Sequence, residues 1–423
     1  MTRPLAPDRN DDRAAEAPAR RLKIVVLRDK YQSGFMSPRQ SAHNIARTRF
    51  LPFNKLKAEW DGFTVLPPVR GTDLVHAHNR IPMGAGRFIC SFESIVPRDY
   101  GVPKDSLIWR AMAREIDSSR CRRLVAMSHA AKLHFVNQHR GLPSFEKRMA
   151  KLIVRHPSVQ LGAAEDSLPG GSADRLVVTF VGAHFGRKGG AACVRAAELA
   201  LARKLPVSFN IVSSLQTGAS SWIDPTLPGF FEPYLQKLNL PNVRHFHSMP
   251  NGEVRALLRG SHFTLLPTVS DSFGYSMIES MAEHTPVIAS RVTAVPEVIA
   301  EGHNGFMLDL PVTAAGDWIA PDYAERGTPH YAEHFRLATE SLALQLVERL
   351  EAMIGQRETL QRLRRNAYLT AKHMFCADTH GAFWDRLYAR VNAEDIGREP
   401  ELDPVLDASS PSDPLACLGD RFV

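Results

Sequence analysis

Twice along this chain, short apolar runs alternate with helical patterns, and a segment rich in Gly, Ser and Pro separates the two series. The first series has strand-like runs at 22–27, 64–66, 73–77, 87–92, 123–127 and 152–154. Helical patterns lie between them, clearest at 106–122 and 129–138. The second series has runs at 175–181, 207–212, 243–246, 263–266 and 287–289. Strands alternating with helices predict a parallel sheet covered on both faces, and two such series predict two α/β halves. The expected division is a disordered tail at 1–20, a first half at 21–160, a linker at 161–174 and a second half at 175–374. A last helix at 375–393 and a disordered tail at 394–423 complete it. A long helical pattern is read at 340–373, and 312–335 reads as an insertion carrying Gly and Pro.

Composition narrows the class. A hydrophobic fraction of 44% and a charged fraction of 23% are those of a soluble globular protein. No apolar run is long enough to predict a membrane span, and the first residues lack the apolar core of a secretory signal. Cys90, Cys121, Cys193, Cys376 and Cys417 are odd in number and scattered, which reads as reduced thiols in a cytoplasmic protein. Residues 21–160 hold 25 Lys and Arg against 10 Asp and Glu, while the whole chain is only +7. The first half is therefore basic and the second acidic. That asymmetry suits an anionic partner for the first half: a membrane surface, a phosphorylated lipid or an acidic glycan. Nucleic acid is not expected, because no RNP-like motif, zinc-finger spacing or basic-zipper pattern accompanies the charge.

The chemistry-bearing residues cluster in the second half. Thr268-Val-Ser-Asp271-Ser272-Phe273-Gly274-Tyr-Ser276-Met-Ile-Glu279 follows an apolar run stopped by Pro267 and leads into a helix that Pro286 ends. Ser270 or Asp271 is placed to cap that helix. Ser272, Ser276, Glu279 and Glu283 recur at three- and four-residue steps and would share one polar face. Backbone N–H groups at a helix start favour an anion, and a carboxylate further along that face suits the paired hydroxyls of a ribose. Upstream, Gly182-Ala-His-Phe-Gly-Arg187-Lys188-Gly-Gly follows the first strand of the second half and opens a helix. Its glycines let backbone approach a ligand, and its cations answer phosphate charge. No Gly-x4-Gly-Lys-Ser/Thr loop occurs.

The stretch from Asp271 to Glu279 resembles the acid-x7-acid motif of retaining glycosyltransferases, above all glycosyltransferase family 4, the group 1 enzymes. Phe273-Gly274, Ala294-Val-Pro-Glu297 and Gly302-His-Asn304-Gly305 continue the likeness, which spans about residues 22–390 and is strongest over 175–310. The resemblance implies a GT-B fold: two Rossmann-like domains with parallel sheets facing a central cleft. It implies a nucleotide-sugar as substrate, no cofactor, no metal, and transfer with retention to a hydroxyl of a saccharide or lipid-linked acceptor. Lys188 maps onto the lysine that binds the donor diphosphate, with Gly182, Arg187, Ser272, Phe273, Gly274 and Ser276 around it. Glu279 would hold the ribose, and Asp271 would orient the transferred sugar.

In the first half, Asp73-Leu-Val-His76-Ala-His78 resembles the family's strand ending at the cleft, so His78 is a candidate site residue. Arg87-Phe-Ile-Cys-Ser-Phe-Glu93 lines up with a strand whose usual histidine faces the reacting sugar; here that position is Glu93. Residues 34–38 stand where the family often carries an acceptor loop. The expected place is the cytoplasm, at the inner membrane face if the basic half docks there. Other readings stay open. The fold also serves epimerases and inverting transferases. Asp271, Ala183 and Glu93 depart from the usual pattern in a way that also suits a glycan-binding protein without turnover.

Overall fold

The computed structural model describes residues 20–27, 36–51, 53–57, 60–66, 69–98, 102–163 and 172–394. The expected tails at 1–20 and 394–423 fall outside them except for Arg20 and Glu394, as do part of the linker and residues 34 and 35.

The first half contains β1 (Lys23–Leu27), β2 (Asn44–Thr48), β3 (Phe63–Val65), β4 (Leu74–His78), β5 (Ile81–Met83) and β6 (Phe88–Phe92). It continues through α1 (Leu107–Asp117), β7 (Cys121–Ala126), α2 (His129–His139), α3 (Phe145–Met149) and β8 (Leu152–Val154). Six strands form a parallel sheet in the order β2-β1-β4-β6-β7-β8. The run at 64–66 was expected beside them. Instead β3 pairs only with β5, in a separate two-stranded ribbon. β2 was not foreseen. It is an edge strand whose sequence, Asn-Ile-Ala-Arg-Thr, is too polar to stand out.

The helix expected over 106–122 ends early. Ser106 caps its start by accepting from the Trp109 N–H at 3.2 Å, and Trp109, Met112, Ala113 and Ile116 bury one face. The chain then turns, and Cys121, Arg122 and Arg123 enter β7, fully buried. By sequence Arg122 closes the expected helix and Arg123 opens the expected strand. They sit inside because Glu394, just beyond the last helix, pairs with Arg122 at 2.7 Å and with Arg123 at 2.5 Å. Glu394 is thus anchored rather than part of a loose tail. Arg148 and Lys151 are also buried and bonded, to Asp117 and to the Ile116 and Ser118 carbonyls. Part of the first half's positive charge is therefore spent inside the fold.

The second half contains β9 (Leu176–Val181), α4 (Gly190–Ala202), β10 (Val207–Val212), α5 (Glu232–Gln236), β11 (Val243–Phe246), α6 (Asn251–Arg259) and β12 (Phe263–Leu266). It ends with α7 (Tyr275–Met281), β13 (Val287–Ser290) and β14 (Gly305–Leu308). Its parallel sheet has the order β11-β10-β9-β12-β13-β14. Renumbered by appearance this is 3-2-1-4-5-6, the doubly wound order.

Three helices follow: α8 (Pro329–Met353), α9 (Arg357–Phe375) and α10 (Ala377–Ala393). The single helix expected over 340–373 is broken by Gly355, which takes φ +77 and donates its N–H to the Ala173 carbonyl at 3.0 Å. α10 lies on the first half. Trp384 packs 4.7 Å from the His76 ring, the Tyr388 hydroxyl meets His76 Nδ1 at 2.8 Å, and Asp385 accepts the Ala42 N–H at 2.8 Å.

Candidate active site

The doubly wound order determines where the motifs meet. β9 and β12 are neighbours, but the chain leaves them toward opposite edges of the sheet, which opens a crevice beyond their carboxyl ends. The 182–189 loop leaves β9 and the 267–274 loop leaves β12. Gly189 and Gly274 each stand immediately before a helix with φ +86 and φ +84. A Cβ on Gly189 would lie 1.9 Å from the Pro267 carbonyl oxygen, so a bare backbone is what allows the two loops to touch.

Between these loops Lys188 and Asp271 form an ion pair. Arg187 Nη1 donates to the Ser270 carbonyl at 2.8 Å, and the Val269 N–H donates to the Arg187 carbonyl at 3.1 Å. Burial pushes the Asp271 carboxyl up, but Lys188 and Arg187 outweigh it and hold the group below the usual range. For Lys188 burial prevails and draws the ammonium below its ordinary value, against the pull of Asp271. Asp271 does not cap the following helix. The left-handed turn at Gly274 delays the helix to Tyr275, which leaves Asp271 free to face Lys188.

Glu279 stands half-buried on α7. Asn251 Nδ2 donates to it at 3.2 Å, and Arg255 and Arg39 lie close enough to attract it. Burial nevertheless raises its carboxyl above the usual range. Ser272 and Ser276 are also half-buried, Ser272 before the helix and Ser276 in its first turn, while Phe273 and Gly274 are buried. Glu283 leaves the expected polar face. It is buried and neutralised by Arg255 and by Arg259, the latter at 2.6 Å. Gly182 lies against Lys188, where a Cβ would come 3.1 Å from the lysine Cβ.

The first half contributes Glu93 at the end of β6. Its Oε2 lies 3.4 Å from the Ser272 hydroxyl, across the cleft. Behind it, Arg98 pairs with Glu93 and, at 2.9 Å, with Asp61, which also pairs with Arg80 at 2.7 Å. The Glu93 N–H donates to Asn79 Oδ1 at 3.0 Å. His78 ends β4 and shares the Ser91 hydroxyl with His76, at 2.9 and 3.2 Å. Glu93, Ser272, Asp271, Lys188 and Arg187 therefore gather at one place. Glu279 stands at the far end of α7's first turns, and His78 lies at the neighbouring strand end.

Several participants carried no signal in the sequence. Arg39 comes from the first half to face Glu279. Glu297, in the Ala294-Val-Pro-Glu297 motif, accepts the His129 and Ala130 N–H groups at 2.8 and 2.7 Å and meets His156 at 3.1 Å. It thereby ties the second half to the start of α2, itself capped by Ser128. Thr293 donates its hydroxyl to the Asp271 carbonyl. Among the described residues no group of three or more His, Cys, Asp and Glu is arranged to hold a metal.

Comparison with solved structures bears on the fold. A glycosyltransferase from Rickettsia africae ESF-5 superposes over 89% of this chain and all of its own, with TM-score 0.55 and 14% identity. Anabaena Alr3699/HepE, in complex with UDP and glucose, covers 88% of this chain and all of its own, with TM-score 0.51 and 14% identity. The chain has the GT-B fold. Within that GT-B frame, residues 171–317 match the family model of glycosyl transferases group 1. D-inositol 3-phosphate glycosyltransferases are similar over part of their length. The protein of Streptomyces avermitilis is 26% identical over 43% of this chain and 41% of its own, and that of Thermobifida fusca 27% over 44% and 43%. The chain thus spans less than half the length of these curated relatives, while the residues matched by the family model include Lys188, Asp271 and Glu279.

Proposed function

We propose that this protein transfers a hexose or similar sugar from a nucleotide-sugar to a hydroxyl of a saccharide or lipid-linked acceptor, with retained anomeric configuration. The observation that carries the reading is the Lys188–Asp271 pair, with Arg187 beside it, at the crevice between β9 and β12. As the glycosidic bond breaks, charge grows on the leaving diphosphate. Lys188 and Arg187 stand already ordered to meet it, which lowers the barrier without reorganisation. These two cations supply the charge that a metal would otherwise bring, so the reaction is metal-independent.

Glu279 accepts from the ribose hydroxyls. Asp271 orients the transferred sugar and, held ionised by its two cations, remains an acceptor for hydroxyl donors. Glu93 approaches from the opposite wall and stabilises positive charge at the anomeric carbon. The leaving phosphate helps to deprotonate the acceptor on the same face. Similarity to a protein crystallised with UDP makes a uridine nucleotide the first donor to test.

The acceptor enters from the basic half, and we place the enzyme in the cytoplasm, peripheral at the inner face of the membrane. Arg49, Leu51, Lys55, Leu56 and Lys57 are all exposed, with Leu51 at 54% and Leu56 at 77%, a mixture that suits an anionic bilayer surface. Among the described residues no helix is long and apolar enough to cross a membrane.

The deciding experiment incubates the protein with a panel of sugar nucleotides and acceptor glycans and determines the anomeric configuration of the product by NMR. A retained configuration supports the reading. Inversion, or epimerised donor without transfer, overturns it.

A further inference from the structure

The segment read as an insertion in the second half builds a cavity of about 500 Å³ that the reaction above does not use. It opens beyond the carboxyl ends of β12, β13 and β14. Its outer rim is Trp222, 55% exposed, and Tyr323, 37% exposed, whose rings meet edge to face at 4.9 Å. Trp318, which is buried, forms the floor, and Ile319 stands beside the rim. The walls are set by backbone and side-chain bonds. Thr313 N–H donates to the Asp317 carbonyl at 2.8 Å, Thr226 N–H to Arg326 at 2.8 Å, and the Tyr331 hydroxyl to Ile223 at 2.7 Å. Asp317 also pairs with His134 of α2 at 3.0 Å, so the wall it stands in is tied to the first half.

The inner end of the cavity is the catalytic neighbourhood. Ser270, which holds Arg187, and Thr293, which holds the Asp271 carbonyl, both line it. The charged side chains in its lining are Asp317 and Asp322, with no Lys or Arg among them. Two carboxylates repel phosphate, sulfate and uronate. Large aromatic faces left open to water favour a ligand with an apolar face of its own, and the carboxylates and the Thr313 hydroxyl favour one with hydroxyl donors at its edge. A neutral sugar ring has both.

We propose that this cavity is a subsite for a neutral sugar ring of the acceptor glycan, set back from the ring that receives the transferred sugar. The inference rests on the saccharide-acceptor reading above and narrows it: whatever charge the acceptor brings to the basic half, the ring seated against the open faces of Trp222 and Tyr323 is uncharged.

The test titrates the full chain with maltotriose, cellotriose, chitotriose and mannotriose, and with an oligogalacturonate as acidic control, following tryptophan fluorescence. Trp222 is exposed, so Trp222→Ala should fold, and an unchanged melting temperature verifies that. At least one neutral trisaccharide should bind, and Trp222→Ala should weaken it about tenfold or more. Failure of every neutral trisaccharide to bind, preference for the acidic one, or equal binding by Trp222→Ala would overturn the subsite. UDP titrated into the same samples should bind both proteins alike. Loss of UDP binding by the wild type would count against the nucleotide-sugar reading while leaving the trisaccharide result to judge the cavity.

Discussion

Lys188 and Asp271 lie 83 residues apart in sequence and form an ion pair, its aspartate buried and its lysine half-buried, that joins the loop after β9 to the loop after β12. Removing Lys188 takes away the stronger of the two cations that hold the buried Asp271 carboxylate ionised. Lys188→Met should therefore cost roughly 3–5 kcal/mol of stability, and the double variant Lys188→Met/Asp271→Asn should recover most of it. Denaturant unfolding of the two single variants and the double variant checks this. Transfer activity should be lost in all three.

Glu279 has an amide and two guanidinium groups nearby and a carboxyl raised by burial. If it holds the ribose, Glu279→Ala removes charge-assisted bonds worth roughly 1.5–3 kcal/mol and should weaken nucleotide binding about tenfold to a hundredfold. Calorimetric titration with nucleoside diphosphates is the check. Unchanged affinity would remove Glu279 from the donor site.

Glu93 touches both the Arg98–Asp61–Arg80 chain and Ser272 of the other half. Its proposed work is in the transition state. Glu93→Gln should lower kcat by about tenfold or more while the donor dissociation constant stays within about twofold. A change in donor binding with kcat intact would make it a structural ion-pair residue instead.

Acid should unfold this protein readily. Burial lowers His76 to about 3, His139 to about 4 and His380 to about 3. His139 Nε2 donates to the Val96 carbonyl at 2.8 Å while Nδ1 meets Arg148 at 2.7 Å, so a second ring proton would face a donor. Because the folded values lie below the unfolded one, the unfolded chain binds more protons as pH falls below about 6.5. The stability these rings contribute is complete above that pH and is lost on the way down, to about pH 4 for His139 and about pH 3 for His76 and His380. Each contributes about 1.4 kcal/mol per pH unit at most, so the three together should steepen the loss to roughly 3–4 kcal/mol per unit near pH 5. Urea unfolding at several pH values, with His139→Gln reducing the slope, tests it.

The second half was the more legible in sequence because its signals are local. Its strands are short and apolar, its turns carry Gly and Pro, and the spacing from Asp271 to Glu279 survives as written. What escaped depends on distant partners. Arg122 and Arg123 look like surface residues until Glu394 arrives from the chain's far end. Glu283 looks solvent-facing until Arg255 and Arg259 of α6 cover it. Gly274 resembles an ordinary helix position, yet its left-handed turn decides which way Asp271 points. Arg39 meets Glu279 only because two separate sheets face each other, a relation that no local pattern encodes.

The account depends on a diphosphate binding where Lys188 and Asp271 meet. Calorimetric titration of UDP, GDP and ADP into the wild type and into Lys188→Met/Asp271→Asn tests this with the stability effect largely cancelled. One of the nucleotides should bind the wild type and lose about tenfold or more in the double variant. Equal affinity for both proteins, or no binding of any nucleotide to the wild type, would contradict it.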